Sequence, residues 1–264
     1  MGSDKKMKTI CKDLADEQAS LDILVKDLNE AGWQTVAPFY GWSIKDEISH
    51  LAYFDRAAFL AVTDAEAFNK YVEAMIKGFT NFDDMYDKIN SKGRSMHNKD
   101  LLAWWRKERA QLIKSFMSID PTTRLPWYGP PMSAKSSATA RLMETWAHGQ
   151  DIADALNVHR PPTDRLKHIA HIGVSTFSWS FKNRGIKVPD KKVRVEISSP
   201  SNELWTWGDK SMQNVISGTA EDFCLVVTRR RKVHDTRLVC KGNIAEKWMS
   251  IAQAFAGPPE DGPE

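Results

Sequence analysis

Cysteine is scarce in this sequence, which has three among 264 residues: Cys11, Cys224 and Cys240. They are widely separated, their number is odd, and no CxxC pair occurs. A disulfide framework typically uses an even set of cysteines in an oxidising compartment. The sequence therefore predicts no disulfide framework and a reducing, cytoplasmic location.

Long apolar runs are also missing. No stretch approaches the ~20 consecutive apolar residues that a membrane-spanning helix needs. Residues 1–18 carry basic side chains but no apolar segment of the kind found in signal peptides. Apolar residues make up 42% of the chain and charged residues 27%, as in a soluble globular protein. We therefore predict no membrane partner.

Neither sign of charge dominates. The chain has 37 Lys and Arg residues against 34 Asp and Glu residues, which leaves a formal net charge of +3. Such a small excess argues against nucleic acid as the main partner. The sequence also lacks a GxSxG nucleophile motif, a P-loop and a GxGxxG fingerprint. A small-molecule substrate is the partner that we expect.

The first two thirds of the chain contains apolar residues at helical spacing. It predicts helices over 7–31, 43–76 with a break near 63, 99–118, 133–156 and 163–183. The polar stretch up to residue 97 is predicted to be irregular. Helical segments of this number indicate a helical unit over residues 1–186.

After Gly185 the apolar residues alternate with charged ones, which is typical of strands. The pattern predicts a hairpin at 193–197 and 204–208, further strands at 214–218 and 237–240, and helices at 220–231 and 244–256. We therefore expect a small α+β domain over residues 187–256 and a disordered tail over 257–264.

Glu144 and His148 are the first candidate site residues. Their i,i+4 spacing places both on one face of the predicted helix, one turn apart. Arg141 and Asp151 extend this polar stripe along a mostly apolar helix. Buried polar groups need partners, and two solutions remain open: a divalent metal, or a structural network of salt bridges.

His50 lies in the apolar segment EISHLAYF of another predicted helix. Two histidines and one glutamate from facing helices can form a three-ligand metal site with an open position, the arrangement of catalytic sites. A core histidine with ordinary hydrogen bonds is the alternative. Asp55 and Asp151 are candidates to orient the imidazoles, although Asp55 also fits a surface position.

The runs GWSIKDEISHL and WYGPPMSAKSSATARLMETWAHGQDIADAL closely resemble the metal-binding domain of the mycothiol-dependent maleylpyruvate isomerase family. That resemblance implies a DinB-like four-helix bundle, with metal ligands at His50, Glu144 and His148. It also implies a divalent metal, usually zinc, and a low-molecular-weight thiol. Dimerisation is common in this superfamily, so a homodimer is possible. The C-terminal half is similar to a subfamily whose members mostly carry no assigned reaction.

In that family, the resemblance implies, an arginine of the C-terminal domain assists the reaction. Arg230 and Arg231 are the candidates here, and a solvated basic patch is the alternative. The loop that leads into the ligand helix would place Trp127 and Tyr128 in a pocket wall, unless they serve only in packing. A zinc with an open position can activate water or hold a thiolate. We therefore expect a thiol-using isomerase or transferase, with a metal-activated hydrolase or hydratase and a non-catalytic binding module as rivals.

Overall fold

The structure, a computed structural model, describes residues 2–77 and 81–262. The chain divides into two compact units, Met1–Val158 and His159–Glu264. Among the described residues, no helix combines the length and the apolar composition needed to cross a membrane. The protein is mostly helical, with two small sheets, which confirms the predicted mixture of a helical part and an α+β part.

Over its described residues, the first unit contains seven helices and a short antiparallel hairpin. They are α1 (Gly2–Val25), α2 (Glu30–Trp33), α3 (Ile44–Thr63), α4 (Ala65–Ile76), α5 (Phe82–Arg94), α6 (Asn98–Met117), β1 (Arg124–Leu125), β2 (Met132–Ser133) and α7 (Ala134–Ala155).

Four long helices, α1, α3, α6 and α7, pack on one another in the first unit. The helix α3 contacts α6 and α7, and α1 contacts the same two helices. Their shared core holds fully buried side chains such as Leu21, Ile48, Trp105 and Ile152, one from each helix. Burial of apolar surface from four helices at once is the main stabilising contribution here. This packing brings α3 and α7, which carry the candidate ligands, side by side.

The start of α3 is fixed as the sequence predicts. Ser43 is the N-cap, and its hydroxyl accepts a hydrogen bond from the Asp46 amide at 3.2 Å. The Asp46 carboxylate accepts one in return from the Ser43 amide at 3.1 Å, which completes a capping box. Because this box sets where the helix begins, it also sets the phase of the residues that follow on α3.

Helix α5 lies in the stretch that was predicted to be irregular. That prediction is wrong, although the signals were present: Asn81 caps the helix, acidic residues fill its first turn, and Lys92 and Arg94 lie in its last. The helix was not predicted because few of its residues are apolar. Gly93 lets α5 approach α3 closely, since a Cβ there would lie 2.4 Å from the Ser49 Oγ.

The second unit combines helices with a four-stranded sheet of order β4-β3-β5-β6. Its elements are α8 (Leu166–Ser175), α9 (Phe177–Lys182), β3 (Arg194–Ser198), β4 (Leu204–Trp207), β5 (Val215–Thr219), α10 (Ala220–Val227), a 3-10 turn (Val233–Asp235), β6 (Val239–Lys241) and α11 (Asn243–Ile251). The predicted hairpin is β3 and β4, paired with Val195 opposite Trp207. Strand β5 runs parallel to β3, and β6 is antiparallel to β5.

The division at residue 158 differs from the boundary predicted near 186. Helices α8 and α9, expected as one helix of the first domain, belong to the second unit. The close approach of α8 to α10 explains this: a Cβ on Gly173 would lie 2.8 Å from a methyl group of Val227. Only glycine permits so close a contact between the two helices. The apolar face of α8 is buried as well.

The tail also differs from the predicted disorder. The buried Gln253 side chain donates to the Pro258 carbonyl at 3.0 Å and accepts from the Glu260 amide at 3.0 Å. A buried amide that is hydrogen-bonded in both directions holds the backbone that it contacts. The described tail residues, up to 262, therefore follow a defined path.

Candidate metal centre

The three predicted ligands come together between α3 and α7. The Nε2 atom of His148 lies 3.3 Å from Oε2 of Glu144, and the Nε2 atom of His50 lies 3.9 Å from the same oxygen. The ligand atoms of the three residues all fall within 4.8 Å of one another. Neighbouring ligands of a tetrahedral zinc are separated by about 3.3 to 3.6 Å, given bonds of about 2.0 to 2.2 Å. The separation between His148 and Glu144 falls in this range and that between His50 and Glu144 is slightly wider, so the three residues form a candidate metal site.

Burial differs among the three residues. His50 and His148 are 6% and 3% exposed, whereas the Glu144 side chain is 24% exposed. The cluster therefore opens towards its surroundings on the glutamate side and is closed on the histidine sides. A small molecule would reach the ligand atoms from the Glu144 side.

Glu47 contacts His148 at Nδ1, the ring nitrogen that does not face Glu144. This contact was not predicted from the sequence. One oxygen of its fully buried carboxylate lies 2.5 Å from Nδ1 of His148. A carboxylate only accepts hydrogen bonds, so Nδ1 of His148 carries the proton. In the neutral ring, this leaves the Nε2 lone pair directed at Glu144. The signal that could have found Glu47 is its position three residues before His50, on nearly the same face of α3.

The chemistry of this donor set fits a cation. With its proton on Nδ1, His148 presents a lone pair to a carboxylate oxygen of Glu144, and two acceptors at 3.3 Å repel unless a positive charge lies between them. Either a second proton on the ring or a metal ion supplies that charge. Two imidazoles and one carboxylate, with a further carboxylate hydrogen-bonded to one imidazole, are a donor set that can hold a divalent metal.

Asp151 was predicted to support the same imidazole. Its Oδ2 lies 3.8 Å from Nδ1 of His148, beyond hydrogen-bond distance. Asp151, Glu47 and His148 together form a second cluster, and all three are buried. Glu47 makes the direct hydrogen bond in this cluster, while Asp151 adds negative charge beside it.

Aromatic rings line the site next to the histidines. The Trp42 ring lies 5.0 Å from the His50 ring and is parallel to the His148 ring at 6.1 Å. Phe54 and Tyr86 lie 4.6 Å and 6.0 Å from His50. All three aromatic side chains are half-buried, so they give the site an apolar rim that limits access of water.

Trp127 and Tyr128 lie in the loop between β1 and β2, as predicted. Their rings lie 6.3 Å and 5.4 Å from Phe54, which in turn contacts His50. Burial raises the pKa of the Tyr128 phenol above its usual value. The two rings thus reach the site through Phe54, and their predicted contact with a bound molecule stays a prediction.

Asp55 has a different partner from the one predicted. Its carboxylate accepts a hydrogen bond from Nε of Arg141 at 2.9 Å, and the two side chains are 0% and 3% exposed. Arg141 and Asp55 therefore form a buried ion pair between α3 and α7. This contact occupies the carboxylate with a guanidinium and assigns it a structural role.

Replacement of Asp55 by asparagine is expected to destabilise the protein by about 1 to 3 kcal/mol, because the Arg141 charge is then buried without a counter-charge. Urea unfolding measures this change. Metal content should stay unchanged. The control is Asp16→Asn, whose side chain pairs with Lys12 at the surface and should cost under about 1 kcal/mol. A loss of bound metal in Asp55→Asn would contradict the structural role.

The two arginines predicted to assist the reaction lie in the second unit. Arg230 is buried and donates to the Thr228 carbonyl at 2.7 Å, and Arg231 is half-buried and donates to the Arg230 carbonyl at 2.7 Å. These contacts order both side chains. Their catalytic role stays a prediction.

A mostly helical α+β fold with a partly buried His–Glu–His cluster defines a class of helical proteins with a candidate metal site. Comparison with known proteins narrows that class. The sequence profile of the mycothiol maleylpyruvate isomerase N-terminal domain matches residues 14–153, a range that includes all three clustered residues. The chain belongs to this family.

Relatives and solved structures agree with the assignment. An uncharacterized protein of Mycobacterium tuberculosis, found in strains CDC 1551 / Oshkosh and ATCC 25618 / H37Rv, is 42% identical over 250 residues. The match covers 95% of this chain and 96% of the relative. The crystal structure of the mycothiol-dependent maleylpyruvate isomerase has a TM-score of 0.58 at 13% identity and covers 85% of this chain and 90% of its own. A histidine-to-alanine mutant of that isomerase gives 0.57, with 86% and 90% covered. At this identity the structures show the shared fold.

Proposed function

We propose that the protein is a metal-dependent enzyme that uses a low-molecular-weight thiol to isomerise, or transfer the thiol to, a small electrophilic substrate. The observation that carries the proposal is the His50–Glu144–His148 cluster, with its ligand atoms within 4.8 Å of one another and its Glu144 side partly exposed. The family of the chain includes an isomerase whose name states a dependence on mycothiol. We also propose that α1, α3, α6 and α7 form the DinB-like four-helix bundle.

Zinc is the metal that we propose, because two imidazoles and one carboxylate are typical ligands of catalytic zinc. A divalent metal bound there would favour the thiolate form of a thiol, which is the reactive nucleophile. His50 and His148 would hold the metal with Glu144. Glu47 would keep the proton of His148 on Nδ1, and the rim of Trp42, Phe54 and Tyr86 would exclude water.

The thiol has to come from outside the protein. Cys11 and Cys224 are 1% and 0% exposed, and burial raises the pKa of Cys11 to about 11 and that of Cys224 well above its usual value. Burial also raises the pKa of Cys240. None of the three is in the His–Glu–His cluster. Because no cysteine of this chain lies in the cluster, the thiolate of the proposed reaction would come from a separate thiol.

In the isomerisation that we propose, the thiolate sulfur adds to one carbon of a conjugated double bond. A single bond replaces the double bond, and rotation about it becomes possible. Elimination then breaks the carbon–sulfur bond, restores the double bond in the other geometry and releases the thiolate unchanged. The step consumes neither oxidant nor reductant.

Thermal unfolding of the zinc-loaded protein with added thiols tests the proposal. Mycothiol at about 100 times its Kd is expected to stabilise the protein by about 2.7 kcal/mol. The S-methylated thiol and the chelator-treated protein serve as controls and should show no such effect. The proposed thiol-dependent reaction is refuted if no thiol stabilises the zinc-loaded protein and if the protein does not isomerise maleylpyruvate. Hydrolysis without thiol would then identify a metal-activated water as the nucleophile.

A further inference from the structure

Two arginines of the second unit lie together beneath the C-terminal tail. Arg229 lies two residues beyond the end of α10 and is 2% exposed. Its φ of 64° places it in the left-handed region, which a non-glycine residue occupies at an energetic cost. Residues in such conformations persist where the surrounding packing fixes them, and they concentrate at binding sites.

The charge of Arg229 is poorly compensated. Both terminal nitrogens donate to a single acceptor, the Ser250 carbonyl, at 3.2 Å each, and the buried Nε has no hydrogen-bond partner. Within residues 159–262, no carboxylate forms an ion pair with it. Burial first, and then the nearby Arg184 charge, lower the pKa of Arg229 to about 10. The Asp261 and Glu260 charges raise it in part. At neutral pH the group is therefore a buried cation that no carboxylate contacts directly.

Arg184 is the second guanidinium. Its Nη2 donates to the Asp261 carboxylate at 2.8 Å and to the Glu260 carbonyl, while its buried Nε has no hydrogen-bond partner. The Asp261 side chain is 85% exposed. Of the two guanidinium groups, Arg184 thus contacts the exposed Asp261 carboxylate directly, and the same carboxylate acts on Arg229 only at longer range.

We propose that Arg184 and Arg229 form a binding site for an oxyanion, a carboxylate or phosphate group of a small molecule, and that Asp261 occupies this site as an internal ligand. Guanidinium groups present planar pairs of N–H donors that match the oxygens of such anions. The unused Nε donors of both arginines, and the Arg229 guanidinium that no carboxylate contacts directly, are the features that a bound anion would satisfy.

The tail is held over the arginines by contacts that leave Asp261 replaceable. Gln253 fixes Pro258 and Glu260 by hydrogen bonds to their backbone, as described above. Gly262 lies against the Arg229 backbone, since a Cβ there would be 3.0 Å from the Arg229 carbonyl oxygen. The Asp261 carboxylate is the side chain that pairs with the Arg184 guanidinium, and exposed ion pairs of this kind are weak. A free anion can therefore displace it without unfolding the tail.

Calorimetric titration of the full chain with acetate, and separately with inorganic phosphate, tests the site at constant ionic strength held with chloride. Asp261→Asn removes the internal competitor and should lower the Kd for the anion by about two- to five-fold relative to the unchanged protein. Arg184→Met should raise it at least about ten-fold. The matched control is Arg237→Met, whose side chain is 87% exposed in the same unit and should leave the Kd unchanged. Preference for acetate or phosphate then identifies the class of anion.

Nitrogen-15 NMR of the arginine Nε–H groups locates the bound anion, because the Arg184 and Arg229 signals should shift together on titration. Asp261→Asn should also lose thermal stability, and added anion should restore it. Arg229→Lys should weaken anion binding. If the Arg229→Lys variant does not fold, the Arg184→Met variant tests the role of the arginines. Binding that persists in Arg184→Met would mean an adventitious ion only. Equal Kd values for Asp261→Asn and the unchanged protein, or a stability loss that no anion restores, would overturn the role of Asp261 as an internal ligand.

Discussion

Replacement of His148 by alanine is expected to abolish stoichiometric metal binding and to destabilise the first unit at the same time. The imidazole has two functions in this site. Its Nε2 is one of three ligand atoms, and its Nδ1 is the hydrogen-bond donor to the buried Glu47 carboxylate. Loss of a direct ligand should weaken metal affinity by more than the ~10- to 100-fold effect of an outer partner. Loss of the donor removes the His148 hydrogen bond from the buried Glu47 carboxylate, which costs about 3 to 5 kcal/mol.

Elemental analysis and chemical unfolding of the same preparations measure the two effects separately. His50→Ala should lose the metal as well. His97→Ala is the matched control, because His97 is exposed in the first unit and makes no side-chain capping contact on α6. Retention of about one metal per chain by the His148→Ala variant would refute the three-ligand site. Loss of metal without loss of stability would instead refute the role of His148 as a partner of Glu47.

The sequence predicts this site well where the geometry is local. An i,i+4 pair on one helix must share a face, so Glu144 and His148 had to be neighbours once α7 formed. His50 lies on another helix, and its pairing with them rests on how α3 and α7 pack. Its apolar surroundings and the family resemblance both indicated the pairing. The structure brings these three residues together.

Contacts between distant residues explain what the sequence did not predict. Glu47 lies in the first turn of α3, where an acidic residue is already favoured by the helix dipole. Nothing local indicates a partner 101 positions along the chain. Asp55 was a candidate to orient an imidazole, with a surface position as the alternative, yet it is buried and Arg141 reaches it across the helix interface. The choice between two nearby charged partners is made by packing, which the spacing of residues does not encode.

The fold shows the same distinction. Apolar spacing predicted helices that begin at residues 43 and 133, and the N-caps of α3 and α7 are Ser43 and Ser133. Helix α5 was missed because its polar sequence buries only Ile89, Asn90 and Gly93. Its position depends on a close approach to α3 at Gly93, which is a tertiary contact. The division between the units likewise depends on how α8 packs on α10.

Replacement of Glu47 by glutamine is expected to weaken metal affinity by about 10- to 100-fold while the metal-free protein keeps its stability. Glutamine has the size of glutamate and can still accept the Nδ1 proton of His148, so the packing is preserved. It lacks the negative charge that makes the imidazole a stronger ligand. The buried charge itself is costly in the absence of a metal, so its removal should not destabilise the metal-free fold. A residue that served only the fold would show the opposite pattern.

Chelator competition measures the affinity, and nitrogen-15 NMR of the imidazole reports which ring nitrogen of His148 carries the proton. In the unchanged protein the proton should be on Nδ1, and in Glu47→Gln the two forms should become more equally populated. Asp151→Asn is the matched comparison, because its carboxylate lies 3.8 Å from the same nitrogen and does not accept its proton. Its effect on affinity should therefore be smaller than that of Glu47→Gln. An equal or larger effect would mean that total negative charge near His148, and not the hydrogen bond from Nδ1, sets the strength of the site.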